Sequence, residues 1–295
     1  MLCGLENQES ILTISEENAY IPHRFVQRIL SHVLLVSLDS KRKYRHPLIL
    51  AIQGVPGSGK SYQARYTLTH NGLKAVTIDS SSLAGSLEGD SIKLLKDVYC
   101  RLGATNELGA IIIDDFDISI GAQKQNYERT SNSDILNAFL MHLCDNPSAV
   151  NGLNLHPVPI ILTGNNFTTL YEPLRRHGRT RIFDWEPTVE ERTAVVNNIL
   201  KELSLPNSTV EKFLELYPNK GIAFFHHIKT NLLDDLTIPL LEAAKRANFD
   251  RMVFAVSALH KLQGLLQEVS DERIFAAAQE ADTNPKDYLS HEHPK

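Results

Sequence analysis

The sequence predicts an α/β fold, a parallel sheet packed between helices, followed by an all-helical unit. Three observations carry that expectation. A short apolar run, Leu48-Ile49-Leu50-Ala51-Ile52, passes through a glycine-rich turn into a helix-compatible segment, Tyr62 to Leu68. Further apolar runs of strand length, at 75–79, 110–115 and 158–166, alternate with helical patterns, which is the rhythm of βαβ units. Beyond Pro187 the strand-like runs stop and helical periodicity takes over.

The composition fits such a fold and narrows its setting. The 295 residues are 42% hydrophobic and 22% charged, the balance of an ordinary globular chain. A net charge of −5 gives no global basic field, which disfavours nucleic acid and anionic lipid as partners. Cys3, Cys100 and Cys144 lie far apart with no metal-ligand spacing, as expected in a reducing compartment. No apolar run reaches the 18 to 20 residues needed to cross a bilayer, and the N-terminus shows no targeting pattern. The expected location is the cytoplasm, either a bacterial cytosol or a plastid stroma.

Residues 1–19 are a polar lead-in. Pro22 opens a helix in which Phe25, Ile29, Val33 and Val36 recur at helical spacing. The basic cluster Lys41-Arg42-Lys43-Tyr44-Arg45 reads as a solvated connector, because it involves only five residues and Pro47 and a buried strand follow immediately. That strand delivers Gly54-Val55-Pro56-Gly57-Ser58-Gly59-Lys60-Ser61, which fits G-x-x-x-x-G-K-[ST] between a strand and a helix. Its glycines let several N–H groups converge on one anion, and the helix N-terminus adds partial positive charge. This is a phosphate-binding loop: Lys60 reaches the β- and γ-phosphates, and the Ser61 hydroxyl ligates Mg²⁺. Residues 80–90 are a loop of small residues, and Ser91 to Leu102 is helical in pattern. The strand at 110–115 ends in two carboxylates, so Asp114 is placed to hold Mg²⁺ and Asp115 to orient or deprotonate an attacking water.

Residues 121–132 form a polar loop, and Ile135 to Leu143 resumes helical spacing. The strand at 158–166 ends in Asn165-Asn166, where an amide can bond both water and γ-phosphate. Next comes Arg175-Arg176-His177-Gly178-Arg179-Thr180-Arg181, either a solvated turn or a source of arginine fingers for a neighbouring copy, and then a short strand at 182–185. From Thr188 the helices fall at 189–203, 210–216, 222–233, 238–247 and 254–269. Leu259, Leu262, Leu265, Leu266 and Val269 make a core stripe. The end of the chain is polar and reads as disordered, with His291 and His293 solvated. The expected divisions are therefore 1–19, 20–187, 188–272 and a tail at 273–295.

The order of these motifs resembles that of the AAA+ ATPases. Asp145-Asn146-Pro147-Ser148, the run from Val158 through Thr163-Gly164-Asn165-Asn166-Phe167-Thr168-Thr169-Leu170-Tyr171 to Leu174, and the continuation to Thr188 closely resemble Rubisco activase, over roughly residues 18 to 270. The resemblance implies ATP and Mg²⁺ at Lys60, Ser61, Asp114 and Asp115, with Asn165 as sensor 1 and Arg176 and Arg179 as trans-acting fingers. It extends the nucleotide contacts to Tyr20 and Ile21, to Tyr62 after the loop, and to Lys229 in a helical lid. It makes 83–90 and 119–131 pore loops, and it implies a hexameric ring that pulls on a protein client, with Rubisco as the candidate. Three departures stand out: fewer than twenty residues precede the motor where green-type activases carry a Rubisco-engaging domain, the extended tail is missing, and Lys229 and Asn231 occupy the sensor-2 arginine positions. The alternative is an ATP-gated ring that recruits a partner, with hydrolysis as a slow timer. Residues 83–90 favour it by offering only Leu83 and Leu87 to grip a peptide.

Overall fold

The computed structural model describes residues 19–39, 43–83, 89–117, 131–150, 152–247, 262, 264–267 and 269–283. The chain divides into two units, one at 21–187 and one formed by the segments flanking it. Most of the two loops assigned to a pore (83–90 and 119–131), most of the helix expected at 254–269 including Leu259, and the end of the tail with His291 and His293 lie outside the described residues.

In the first unit, five parallel strands are β1 (Ile49–Gln53), β2 (Lys74–Asp79), β3 (Gly109–Asp114), β6 (Ile160–Gly164) and β7 (Thr180–Asp184). They are ordered β2-β3-β6-β1-β7. The central strands are apolar on both sides, as a sheet covered on both faces requires. Ile49, Ala51, Ile111, Ile113, Ile160 and Leu162 face a core shared with helices α4 (Asp90–Gly103) and α5 (Ser131–Asp145). Their neighbours Leu50, Ile52, Ala110, Ile112 and Ile161 face the opposite core, with Phe25, Ile29 and Val33 of α1 (His23–Leu38) and Ala64 and Leu68 of α2 (Lys60–His70). Alternate residues of each strand thus feed two separate cores. The C-terminal ends of β1, β3 and β6 bring the glycine loop, the acidic pair and the Asn pair to one edge of the sheet.

Two features of this unit differ from the expected pattern. The loop expected from Ser80 opens with one helical turn, α3 (Ser80–Leu83), and Leu83 is buried in the core, so it is not available to grip a peptide. A small antiparallel hairpin, β4 (Ala149–Val150) and β5 (Leu153–Asn154), follows α5, with Gly152 between its strands at φ +73. That left-handed conformation is one that glycine adopts without strain. The chain then passes through a 3₁₀ turn at Phe167–Thr169 and α6 (Glu172–Arg175) before β7.

The second unit is helical: α7 (Val189–Ile199), α8 (Asn207–Leu216), α9 (Ile222–Ala247) and α10 (Asp271–Thr283) surround a core of Val196, Phe213, Phe225, Ile228, Leu232 and Ile274. Thr188 starts α7 with a reciprocal capping box to Glu191, the S/T-x-x-E signature. Arg192 donates to the carbonyls of Tyr217, Pro218 and Lys220, gathering the exposed end of α8. The two helices expected at 222–233 and 238–247 are one continuous helix, because Leu232, Leu233 and Leu236 keep a single apolar stripe against the core. The tail expected at 273–295 also needs correction. Ile274, Ala277, Ala278 and Ala281 recur at helical spacing and are buried, so α10 packs into the core as far as Thr283. Three of its four buried residues are alanines, whose small side chains give little hydrophobic signal amid acidic neighbours.

Candidate functional site

The glycine-rich loop owes its shape to two glycines above all. A Cβ at Gly54 would sit 2.2 Å from the Trp185 carbonyl oxygen, so only glycine lets β1 run this close to the end of β7. Gly59 caps α2 with φ +78, a left-handed conformation that favours glycine. Around them, Val55 is exposed, Pro56 and Gly57 complete the turn, and the Ser58 hydroxyl is buried with no hydrogen-bond partner among the described residues. Buried Gln63 braces the loop from below by donating to the Ser58 carbonyl at 2.8 Å.

Lys60 is buried and folds back over the loop. Its ammonium donates to the carbonyls of Gly54 at 2.9 Å and Val55 at 3.0 Å, and to Asn165 Oδ1 at 3.2 Å. Burial lowers its pKa, while the charges of Asp115, Asp117 and Asp114 pull the other way. Lys60 is thus a buried cation in an acidic surrounding, and its ammonium offsets neighbouring carboxylates that would otherwise repel a phosphate.

Beside it, the Ser61 hydroxyl donates to Asp114 Oδ1, and so does the Thr163 hydroxyl from the neighbouring strand. The two hydroxyls are 3.0 Å apart. One carboxylate and two hydroxyls form a hard-oxygen set suited to Mg²⁺ completed by water and phosphate oxygens. Among the described residues no group of three or more His, Cys, Asp or Glu is arranged to hold a metal ion. Asp115 turns away from the strand with φ +49, its N–H donating to Asp114 Oδ1 at 3.0 Å. A left-handed aspartate is uncommon outside turns and functional sites. Desolvation first, then the charges of Asp114 and Asp117, push its carboxyl above the ordinary Asp range, with Lys60 opposing.

Lys60, Ser61, Asp114, Asp115 and Asn165 are thus brought together. Tyr62 follows on α2, exposed and stacked on Tyr66 at 6.0 Å. The arginines divide. Arg179 is held by a bidentate pair with Asp145, at 3.0 and 2.7 Å, and by the Pro173 carbonyl at 2.9 Å. Arg176 is exposed and only loosely paired with Glu172 at 3.9 Å. Ile21 is half-buried against the core under α1. Tyr20 and Lys229 belong to the helical unit, where the Tyr20 N–H donates to Asn198 and Lys229 pairs with Glu202 at 2.9 Å. Within that unit, Asn231 lies 3.3 Å from His227.

Thr163, Gln53 and Asp117 had no role in the sequence reading. Gln53 accepts the Phe167 N–H at 2.7 Å and donates to Asp184 Oδ1, tying three strand ends together. Asp117 accepts the N–H groups of Asn165 and Asn166 at 2.7 and 2.9 Å. The available signal was the third acid of Asp114-Asp115-Phe116-Asp117, two residues beyond the pair already singled out.

Comparison with known proteins adds two findings. Residues 50–187 match the "ATPase family associated with various cellular activities (AAA)". The chain is also similar to ribulose bisphosphate carboxylase/oxygenase activases. It is 32% identical to one from Anabaena sp. over 226 residues, 73% of this chain and 54% of that protein. It is 30% identical to the chloroplastic protein of Vigna radiata over 241 residues, 79% of this chain and 54% of the relative. It is 30% identical to that of Chlamydomonas reinhardtii over 230 residues, 75% and 56% respectively. The chain spans about half the length of the curated relatives it matches.

Proposed function

We propose that this chain, whose residues 50–187 match the AAA family of ATPases and which is similar to Rubisco activases, binds ATP with Mg²⁺, hydrolyses it between copies of itself in a ring, and remodels a protein client. The convergence of Lys60, Ser61, Asp114, Asp115 and Asn165 at one sheet edge carries this reading. Residues 54–61 cradle the phosphates, with Lys60 on the β- and γ-groups. Ser61 and Asp114, joined by Thr163, hold the magnesium, which supplies charge neutralisation on the phosphate oxygens. Asp115 orients the attacking water and accepts its proton, a task helped by its raised pKa. Asn165 bonds the same water or the γ-phosphate. Tyr20, Ile21, Tyr62 and Lys229 complete the nucleotide contacts.

Arg176 is the freer of the two arginines and acts on the neighbouring copy's site. Arg179, clamped on Asp145, fixes the turn that presents it and reaches the neighbour only if that clamp opens. A site completed head-to-tail closes as a ring or opens into a spiral, and a hexameric ring is the proposed form. The proposed client is Rubisco inhibited by a bound sugar phosphate, and the proposed location is the bacterial cytosol or the plastid stroma. No described helix is long and apolar enough to cross a membrane.

The test is the ATPase rate of the purified chain, alone and with inhibited Rubisco, read together with Rubisco activity. The expected result is ATP-dependent reactivation that Lys60→Ala abolishes. ATPase without reactivation would remove Rubisco as the client and send the search to another protein. Slow, client-insensitive hydrolysis with ATP-dependent assembly would instead identify a recruiting scaffold.

A further inference from the structure

The backbone leaving β6 poses a problem that one side chain solves. Strands β3 and β6 pair only as far as Ile113 and Leu162, so the amides beyond Leu162 have no ladder partner on that side. The left-handed turn at Asp115 carries the chain away from the sheet, and Asp117 comes back beneath the end of β6. Its Oδ2 accepts two consecutive N–H groups, those of Asn165 and Asn166. Gly164 makes room for it, because a Cβ there would lie 2.6 Å from Asp117 Oδ1 and 2.8 Å from its Cγ. The next two amides are also taken by side chains: Phe167 by Gln53 at 2.7 Å and Thr168 by Asn166 Oδ1 at 2.8 Å.

Every backbone N–H from Asn165 to Thr168 is therefore fixed, and the Asn165 side chain is left with its Oδ1 on the Lys60 ammonium. Asp117 is buried, and its other oxygen, Oδ1, has no hydrogen-bond partner among the described residues. A carboxylate held there is costly unless the bonds it accepts serve the fold or the site. We propose that Asp117 is a positioning residue for hydrolysis: it sets the turn after β6 so that Asn165 faces the γ-phosphate end of the loop. It touches no substrate and acts through Asn165. This inference rests on the ATPase reading of the same site.

Two routes of action are separable. If Asp117 positions the turn, an asparagine, whose single carbonyl oxygen can accept the same two N–H groups, preserves most of its effect. If it acts by placing negative charge near Lys60, asparagine fails as alanine does. The experiment measures kcat and KM for wild type, Asp117→Ala, Asp117→Asn, Asn165→Ala and the double variant Asp117→Ala/Asn165→Ala. Amide hydrogen exchange across residues 163–168 is followed in parallel.

Asp117→Ala is expected to lower kcat by about 10- to 100-fold with KM within about threefold, the usual reach of a supporting shell. Asp117→Asn should stay within about fivefold of wild type, and the double variant should be no slower than Asn165→Ala, since both act through one group. The Asn165 and Asn166 amides should exchange at least about tenfold faster in Asp117→Ala, as amides released from a local bond do. A wild-type kcat in Asp117→Ala, additive losses in the double variant, or Asp117→Asn as slow as Asp117→Ala would overturn the proposal. Should the wild-type chain hydrolyse no ATP, the ATPase reading fails, and unchanged exchange at 165–166 would still overturn the role of Asp117. If Asp117→Ala does not fold, Asp117→Asn decides alone: kcat within about fivefold of wild type with the 165 and 166 amides still protected supports the proposal, and a loss of more than about tenfold with those amides still protected overturns it.

Discussion

Asp115 is where stability and chemistry pull apart. Its carboxyl is raised in the folded state by desolvation and by Asp114 and Asp117, so its ionisation opposes folding. The contribution is fully present below the unfolded pKa and is lost as pH rises through the folded value. Asp115→Asn removes that burden and suits φ +49, a conformation asparagine tolerates. The variant is expected to bind ATP, to hydrolyse it barely, and to melt slightly above wild type at pH 7, the gain kept small because Asp115 is exposed and its charge is screened by solvent. The gap should close below about pH 4, where both side chains are neutral. Calorimetry across pH checks this; a lower melting point at pH 7 would contradict it. At this scale the motif residues were legible because each needs a fixed spacing inside one element. Thr163 and Asp117 were not, since their partners lie 49 and 48 residues away along the chain, at Asp114 and Asn165.

Elements were legible wherever hydrophobic period was strong. The covered strands announced themselves as apolar runs, and their two-sided burial follows from the helices on either face. Weak period concealed α10, where alanines carry the buried face, and α3, where three serines precede a single buried leucine. The capping box at the start of α7 is local enough to quantify. Thr188 Oγ1 accepts the Glu191 N–H at 3.2 Å, and Glu191 Oε2 accepts the Thr188 N–H at 2.9 Å. Thr188→Ala should therefore destabilise the helical unit by about 1 kcal/mol, seen as a lower urea midpoint with an unchanged slope. No change in midpoint would mean that α7 is held by packing alone.

At the scale of the whole molecule, the central claim is that one copy's P-loop and acids work with the next copy's arginine. A heterologous contact of this kind cannot be satisfied within one chain. The most direct test mixes two inactive proteins. Asp115→Asn keeps Arg176 but cannot activate water; Arg176→Ala keeps the acids but lacks the arginine. Each alone should hydrolyse ATP at less than about a hundredth of the wild-type rate, as expected when a proton acceptor or an arginine finger is lost. Random co-assembly should join two intact halves at about a quarter of the interfaces, so mixing should restore up to roughly a quarter of wild-type activity. Recovery on mixing is the predicted result. Full activity of Arg176→Ala alone, or no recovery in mixtures that demonstrably co-assemble, would contradict a site shared between copies.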